Sequence, residues 1–178
     1  KEGSDRRVAA NVAWMPKEGL TVYADGGYQI MQATQTNQTG VPLTSWKAEH
    51  EDVYKTLGLG AKWTNIGDKW DVSIDYARAE STGEIDTLAG TASSFPDNTT
   101  DFRSLRIGVA YRVNEALRVG LGYRQEKLES ADWALQGLQP ATVATLLALG
   151  ADPYNYNVDV ISLSFRYDFG GPKSKKGE

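Results

Sequence analysis

Seven stretches of the chain alternate between apolar and polar residues with a period of two, and this repetition constrains the fold most strongly. A strand places successive side chains on opposite faces, so each stretch predicts a strand with one apolar and one polar face. The stretches are Arg7 to Met15, Leu20 to Met31, Val53 to Trp63, Trp70 to Arg78, Ser104 to Val113, Leu117 to Arg124 and Ile161 to Phe169. We therefore predict an all-β protein with about seven antiparallel strands.

The connections between these stretches alternate in length. Short turns at residues 16–19, 65–69 and 114–116 follow the first, third and fifth stretches. Long polar loops, predicted over 33–52, 80–101 and 129–155, follow the second, fourth and sixth. Outer-membrane barrels show the same alternation, with short periplasmic turns and longer extracellular loops.

The third long loop is predicted to contain a short helix. Pro140 suits the first position of a helix, and Gly150 suits the position after its end. The residues between them are good helix formers.

A transmembrane β-barrel fits these features better than the alternatives. The longest apolar stretch, Val143 to Leu149, is far shorter than the roughly 20 residues of a spanning helix, whereas a spanning strand needs only about 9–11 residues. A soluble β-sandwich also alternates, but its strands usually have about 5–6 residues, fewer than the stretches here. Aromatic residues on the apolar face near the short turns predict a lipid-facing girdle: Trp14, Trp63, Trp70 and Tyr111.

The predicted inner face combines small residues with many basic groups. The residues predicted to face the lumen or a partner within it are Arg7, Gly58, Gly60, Lys62, Asp71, Asp75, Arg106, Gly108, Arg112, Arg118, Gly120, Gly122, Arg124 and Arg166. This pattern is compatible with the water-filled lumen of a porin. It is equally compatible with a sheath whose smooth inner wall holds a second protein.

The sequence offers no candidate catalytic, metal or cofactor site, so we do not expect an enzyme. The chain has no cysteine, and its net charge of −4 gives no electrostatic basis for binding nucleic acid. Its one histidine, His50, lies in a predicted polar loop. Asp71 and Asp75 lie on one face but about 13 Å apart along the strand, too far for paired-carboxylate chemistry.

The odd number of strands and the lengths of the turns predict on which side of the membrane each end of the chain lies. If the short turns are periplasmic, the chain starts outside the cell and its C-terminus is periplasmic. Bacterial barrels normally have an even number of strands, so seven strands suggest further strands upstream. We therefore expect residues 1–169 to form the C-terminal part of a larger barrel and residues 170–178 to form a tail.

The segment from Tyr111 to Phe169 has more particular features than an ordinary barrel hairpin. They include Asp132-Trp133, the helix-like segment from Leu146 to Gly150, and Tyr156-Asn157-Val158 before the last strand. In these features the sequence resembles the MtrB/PioB family of decahaem-associated outer-membrane proteins.

This resemblance implies a role that the face pattern leaves open. Members of the family form large barrels around a periplasmic multihaem cytochrome. They allow the cytochrome to pass electrons across the outer membrane, usually towards a surface multihaem cytochrome. The expected function is therefore a non-catalytic sheath in contact with outer-membrane lipid, with haem c carried by the partner and none bound by this chain. The alternative is a general or substrate-specific diffusion porin.

Overall fold

The computed structural model describes residues 2–39, 44–87, 96–132 and 155–169. Within them the chain forms one antiparallel sheet in which each strand pairs with the next along the sequence. The strands are β1 (Glu2–Lys17), β2 (Leu20–Thr39), β3 (Thr44–Ile66), β4 (Trp70–Thr87), β5 (Asn98–Arg112), β6 (Leu117–Ala131) and β7 (Tyr156–Tyr167). The predicted seven-strand all-β fold is confirmed. The predicted helix over 140–150 lies outside the described residues.

The short turns form because their residues accept unusual backbone angles or satisfy free backbone groups. Gly19 has a φ of +76°, and a Cβ placed there would lie 2.5 Å from the Thr64 carbonyl oxygen, so the turn requires glycine. Asn65 and Asp68 have positive φ in the second turn, which these two residue types tolerate. In the third turn the Asn114 side chain accepts hydrogen bonds from the backbone amides of Ala116 and Leu117, at 2.9 and 2.8 Å.

The register aligns apolar side chains into rows that cross six or all seven strands of the sheet. One row consists of Trp14, Val22, Ala61, Ile74, Ile107, Tyr123 and Ile161. The next consists of Leu20, Trp63, Val72, Val109, Leu121 and Leu163. We call these two rows the apolar belt and the side of the sheet that contains them the apolar face.

The apolar belt is not buried by the protein itself. Trp14 is 66% exposed and Leu163 is 63% exposed, and no large side chain among the described residues is fully buried. A soluble β-sandwich would cover such a face with a second sheet. Apolar rows whose side chains are exposed or only half-buried are instead typical of strands that face lipid.

The strands extend much further than the alternation indicated, so the predicted boundaries of the long loops are wrong. β2 continues to Thr39 and β3 begins at Thr44, which converts most of 33–52 into a hairpin. β4 continues to Thr87 and β5 begins at Asn98, which shortens the predicted loop 80–101 in the same way. The alternation disappears here because both faces of these extensions are polar, while the hydrogen-bonded pairing continues.

Two smaller corrections follow from the same extension. His50 is not a loop residue, because it lies on β3 between Ala33 of β2 and Ile85 of β4. The first strand begins at Glu2 rather than Arg7. Near the chain's end, β7 covers Tyr156–Tyr167, so it begins earlier and ends sooner than the predicted stretch.

The extended pairing can be tested with disulfides because the chain has no native cysteine. Glu49 and Asp86 are cross-strand partners, so a chain with Glu49→Cys and Asp86→Cys should form a disulfide on mild oxidation. The control pair Glu49→Cys and Ile85→Cys places the thiols on opposite faces and should stay reduced. Gel mobility without reductant measures both. Equal cross-linking of the two pairs would contradict the paired extension.

A second test concerns close packing on the polar side of the sheet. The ring of Tyr23 lies over Gly60, so that a Cβ at Gly60 would collide with it. Gly60→Ala should therefore lower the free energy of unfolding by about 1–3 kcal/mol, as overpacking does. Gly26→Ala is the control, because its Cβ would meet only the Thr56 carbonyl oxygen at 3.6 Å. Urea titration in lipid vesicles compares them, and equal costs would contradict the packing.

Candidate functional site on the polar face

The face opposite the apolar belt, which we call the polar face, contains every residue predicted to line the lumen. Across β3 to β5 the register forms one row of Lys62, Ser73 and Gly108 and another of Gly60, Asp75 and Arg106. Arg7 on β1 and Arg166 on β7 lie on the same face at the two edges of the sheet. The structure thus brings the predicted set onto one surface, whereas its exposure to a lumen remains a prediction.

Arginines on β5, β6 and β7 form two cross-strand rows. Arg112, Arg118 and Arg166 are direct neighbours in the first row. Arg106 and Arg124 are direct neighbours in the second, about 20 Å away along β5 at roughly 3.3 Å per residue. Like charges directly opposite each other repel, so these rows favour the approach of an anionic group.

The arginine rows are only partly neutralised by this chain. Arg118 lies 3.5 Å from Asp71, and Glu126 lies 3.5 Å from Arg106 and 3.7 Å from Arg124. Arg166 pairs with Asp168 at 3.0 Å. Distances of 3.5 Å and more indicate loose pairs, and the side chains stay 39% to 73% exposed. Their guanidinium groups therefore retain donors for a further partner.

Between the two arginine rows runs a strip of small residues. It consists of Ser73, Gly108, Gly122 and Ser162 in one row, and of Ala110, Gly120 and Ser164 in the next. The serine hydroxyls lie over the glycines, and those of Ser162 and Ser164 donate to the glycine carbonyls at 3.4 Å. A depression of about 300 Å³ follows this strip. The strip is flat enough for another polypeptide to approach the backbone closely.

The polar face also contains acidic residues besides the predicted Asp71 and Asp75. Asp25 lies on β2 opposite Gly58, Asp52 lies on β3 opposite Gly83, and Glu126 lies on β6 opposite Ser104. Together with Asp71 and Asp75 they make β2 to β4 predominantly acidic, while β5 to β7 are predominantly basic. The period-two alternation along β2 and β6 also assigns Asp25 and Glu126 to this face.

The four predicted girdle residues lie on the apolar face near the short turns. Trp70 and Tyr111 are cross-strand partners whose ring centroids are 4.5 Å apart. The Lys17 ammonium lies 4.9 Å from the Trp63 ring centroid. Trp14 lies on the same side of the sheet, three residues before the end of β1. This arrangement suits a membrane interface, where aromatic rings and a nearby cation are both favourable.

Beyond the belt, towards the strand ends that carry the long connections, the apolar face contains charged residues. Asp101 accepts hydrogen bonds from Arg78 at 2.9 Å and from Arg103 at 2.7 and 3.0 Å. These bonds hold the pKa of the Asp101 carboxyl well below its usual range, and the bonds from Arg103 contribute more than the bond from Arg78. We call Arg78, Arg103 and Asp101 the outer cluster. Nothing in the alternation pattern had singled it out.

Within the described ranges, no group of three or more His, Cys, Asp or Glu side chains could hold a metal ion. The part of the chain that the structure describes also has no helix long and apolar enough to cross a membrane.

The outer cluster predicts a particular dependence of stability on pH. Because the pKa of Asp101 is lower in the folded state, its contribution is fully present above its unfolded pKa of about 4 and is lost as pH falls towards the folded pKa. The unfolding free energies of the wild type and Asp101→Asn should thus differ by a constant amount from pH 8 to about 5 and converge below about 4. Urea titrations across this range measure the difference. A difference that grows on acidification would contradict the ion pairing.

Comparison with known proteins identifies the family. A family model described as "Putative outer membrane beta-barrel porin, MtrB/PioB" matches residues 1–169. Comparison with curated proteins gives no match.

Two solved structures resemble the fold. A structure titled "Copper transporter OprC" has a TM-score of 0.56 and 13% identity, covering 94% of this chain and 29% of that one. The chain thus spans less than a third of that transporter. The toluene transporter TbuX of Ralstonia pickettii has a TM-score of 0.45 and 13% identity, covering 94% of this chain and 53% of that one. The sheet therefore has an outer-membrane barrel fold, and the chain belongs to the MtrB/PioB family of outer-membrane β-barrel proteins.

Proposed function

We propose that this chain is part of a non-catalytic barrel wall that encloses a periplasmic multihaem c-type cytochrome and supports electron transfer across the outer membrane. The observation that carries this proposal is the flat strip of glycine, alanine and serine between two arginine rows on β5 to β7. A strip of this kind allows a partner to pack closely against the wall, and the arginines supply charged donors at both of its margins.

The chemistry of the arginines favours a partner with carboxylates on its surface. Guanidinium groups donate paired hydrogen bonds to carboxylates, and such charge-assisted bonds are stronger than neutral ones. Haem propionates and acidic side chains both offer this group. A multihaem cytochrome is therefore a chemically suitable occupant, with its acidic side against β5 to β7.

The orientation that we propose places the short turns and the end of β7 in the periplasm. The Asp168 amide donates to the Ala116 carbonyl at 2.8 Å, which fixes the end of β7 beside the third short turn. Barrels of this architecture have short turns on the periplasmic side. The extended hairpins would then project from the cell surface, where a surface cytochrome could contact them.

A diffusion porin is the second candidate. It is favoured by the charged side chains that remain exposed on the polar face, because a water-filled lumen would solvate them. A porin conducts ions with no partner inside it, whereas a sheath is filled. The occupant of the lumen therefore separates the two functions.

The test is the haem content of the complete protein purified from its native membrane in mild detergent. We expect the absorption band of c-type haem to co-purify with the wild type. Neutralising the first arginine row with Arg112→Gln, Arg118→Gln and Arg166→Gln should reduce the haem retained per barrel by at least about tenfold, as the loss of several charged hydrogen bonds would.

Arg78→Gln with Arg103→Gln is the matched control, because it removes arginines from the opposite side of the sheet. It should retain haem like the wild type. Ion conductance in lipid bilayers by a wild type free of haem would contradict the sheath and support the porin. Equal haem loss in both variants would contradict the role of the polar face.

A further inference from the structure

The apolar face contains a shallow groove within and beside the apolar belt. Its volume is about 410 Å³. Its lining includes the small residues Ala24 and Ala61 and the larger residues Trp14, Ile74 and Tyr76. Small side chains on two adjacent strands thus leave a channel between larger ones. A channel of this kind on a lipid-facing surface suits an acyl chain.

A row of cations lies directly beyond this groove. Arg78 follows Tyr76 by two residues on β4, so both side chains emerge on the same face about 7 Å apart. Arg78 is the cross-strand partner of Arg103, and Arg103 is the partner of Lys127. The side chains of these three residues are 37%, 45% and 44% exposed.

Nearby carboxylates orient this row and leave it with an excess of positive charge. Asp101 holds both guanidinium groups, Glu80 contacts Arg78, and Glu129 lies 2.7 Å from the Lys127 ammonium. Lys55 adds a fourth cation as the cross-strand partner of Glu80. Four cations therefore meet three carboxylates.

The guanidinium groups also retain unused hydrogen-bonding capacity. The Nε of Arg78 is buried and has no hydrogen-bond partner, whereas the side chains of Arg78 and Arg103 as a whole stay 37% and 45% exposed, so their other N–H donors are accessible to a ligand. Two arginines directly opposite each other repel, and although Asp101 and Glu80 pair with them, the four cations and three carboxylates together keep one net positive charge. An additional anion at this position would be stabilising, and phosphate matches the geometry of paired guanidinium groups.

We propose that the outer cluster and the neighbouring groove form a binding site for lipopolysaccharide, with a phosphate on the arginines and an acyl chain in the groove. This lipid carries a phosphate and acyl chains in one molecule. Its phosphate lies next to the start of its acyl chains, as the arginines lie next to the groove. The assignment rests on the proposed orientation, in which the long connections face outwards, and it does not depend on the cytochrome partner.

The experiment uses the complete protein in lipid nanodiscs, titrated separately with lipopolysaccharide, dephosphorylated lipopolysaccharide and phosphatidylglycerol. We expect the wild type to bind lipopolysaccharide at least about tenfold more tightly than either of the other two lipids. The Arg78→Gln and Arg103→Gln variant should lose most of this preference. Ala61→Phe, which fills the groove, should weaken the binding of both forms of lipopolysaccharide.

The matched control is Arg106→Gln with Arg124→Gln, a cross-strand arginine pair on the polar face of β5 and β6. Its lipid binding should equal that of the wild type. If the first variant fails to insert, Arg78→Lys with Arg103→Lys keeps both charges, and it should lose part of the preference because lysine lacks the paired donors. Equal binding of the three lipids by the wild type, or equal losses in the two Gln variants, would overturn the proposal.

Discussion

The hydrogen-bonded pairing of each strand with the next determines every other feature of this sheet. In a membrane, backbone groups without water must bond to each other, and an antiparallel meander achieves this within each pair of neighbours. The pairing also fixes the register, and the register sorts side chains onto two faces. A shift of one residue would place arginines in lipid and leucines on the polar face. The short turns hold the register through Gly19, Asn65 and Asn114.

The same register creates three surfaces with different chemistry. The apolar belt and its aromatic residues suit lipid, whereas the polar face combines a flat strip with cations at its margins. Beyond the belt, the outer cluster introduces charge on the lipid-facing side. Each surface arises from side chains that alternate along a few strands, so one sheet presents three chemically different surfaces without a core of its own.

Much of this architecture could be predicted from the sequence, because lipid on one side and polar surroundings on the other force strict alternation. The belt from Trp14 to Ile161 and the residues of the polar face were found in this way. The extensions of β2 to β5 could not be found by alternation, since both of their faces carry polar side chains. The remaining sequence signal for the hairpin of β2 and β3 was the polar stretch on each side of residues 40–43. The outer cluster was missed because Arg78, Asp101 and Arg103 meet only through pairing across strands.

The accessibility of neighbouring residues on opposite faces tests the two-faced wall most directly. Ser162→Cys places a thiol on the strip of the polar face, and Leu163→Cys places one in the apolar belt. With a water-soluble thiol reagent, the thiol at position 162 should react in barrels stripped of the proposed cytochrome and be protected in barrels that retain it. The thiol at position 163 should react only with a membrane-soluble reagent in both states. Equal labelling at position 162 with and without the cytochrome would contradict the account.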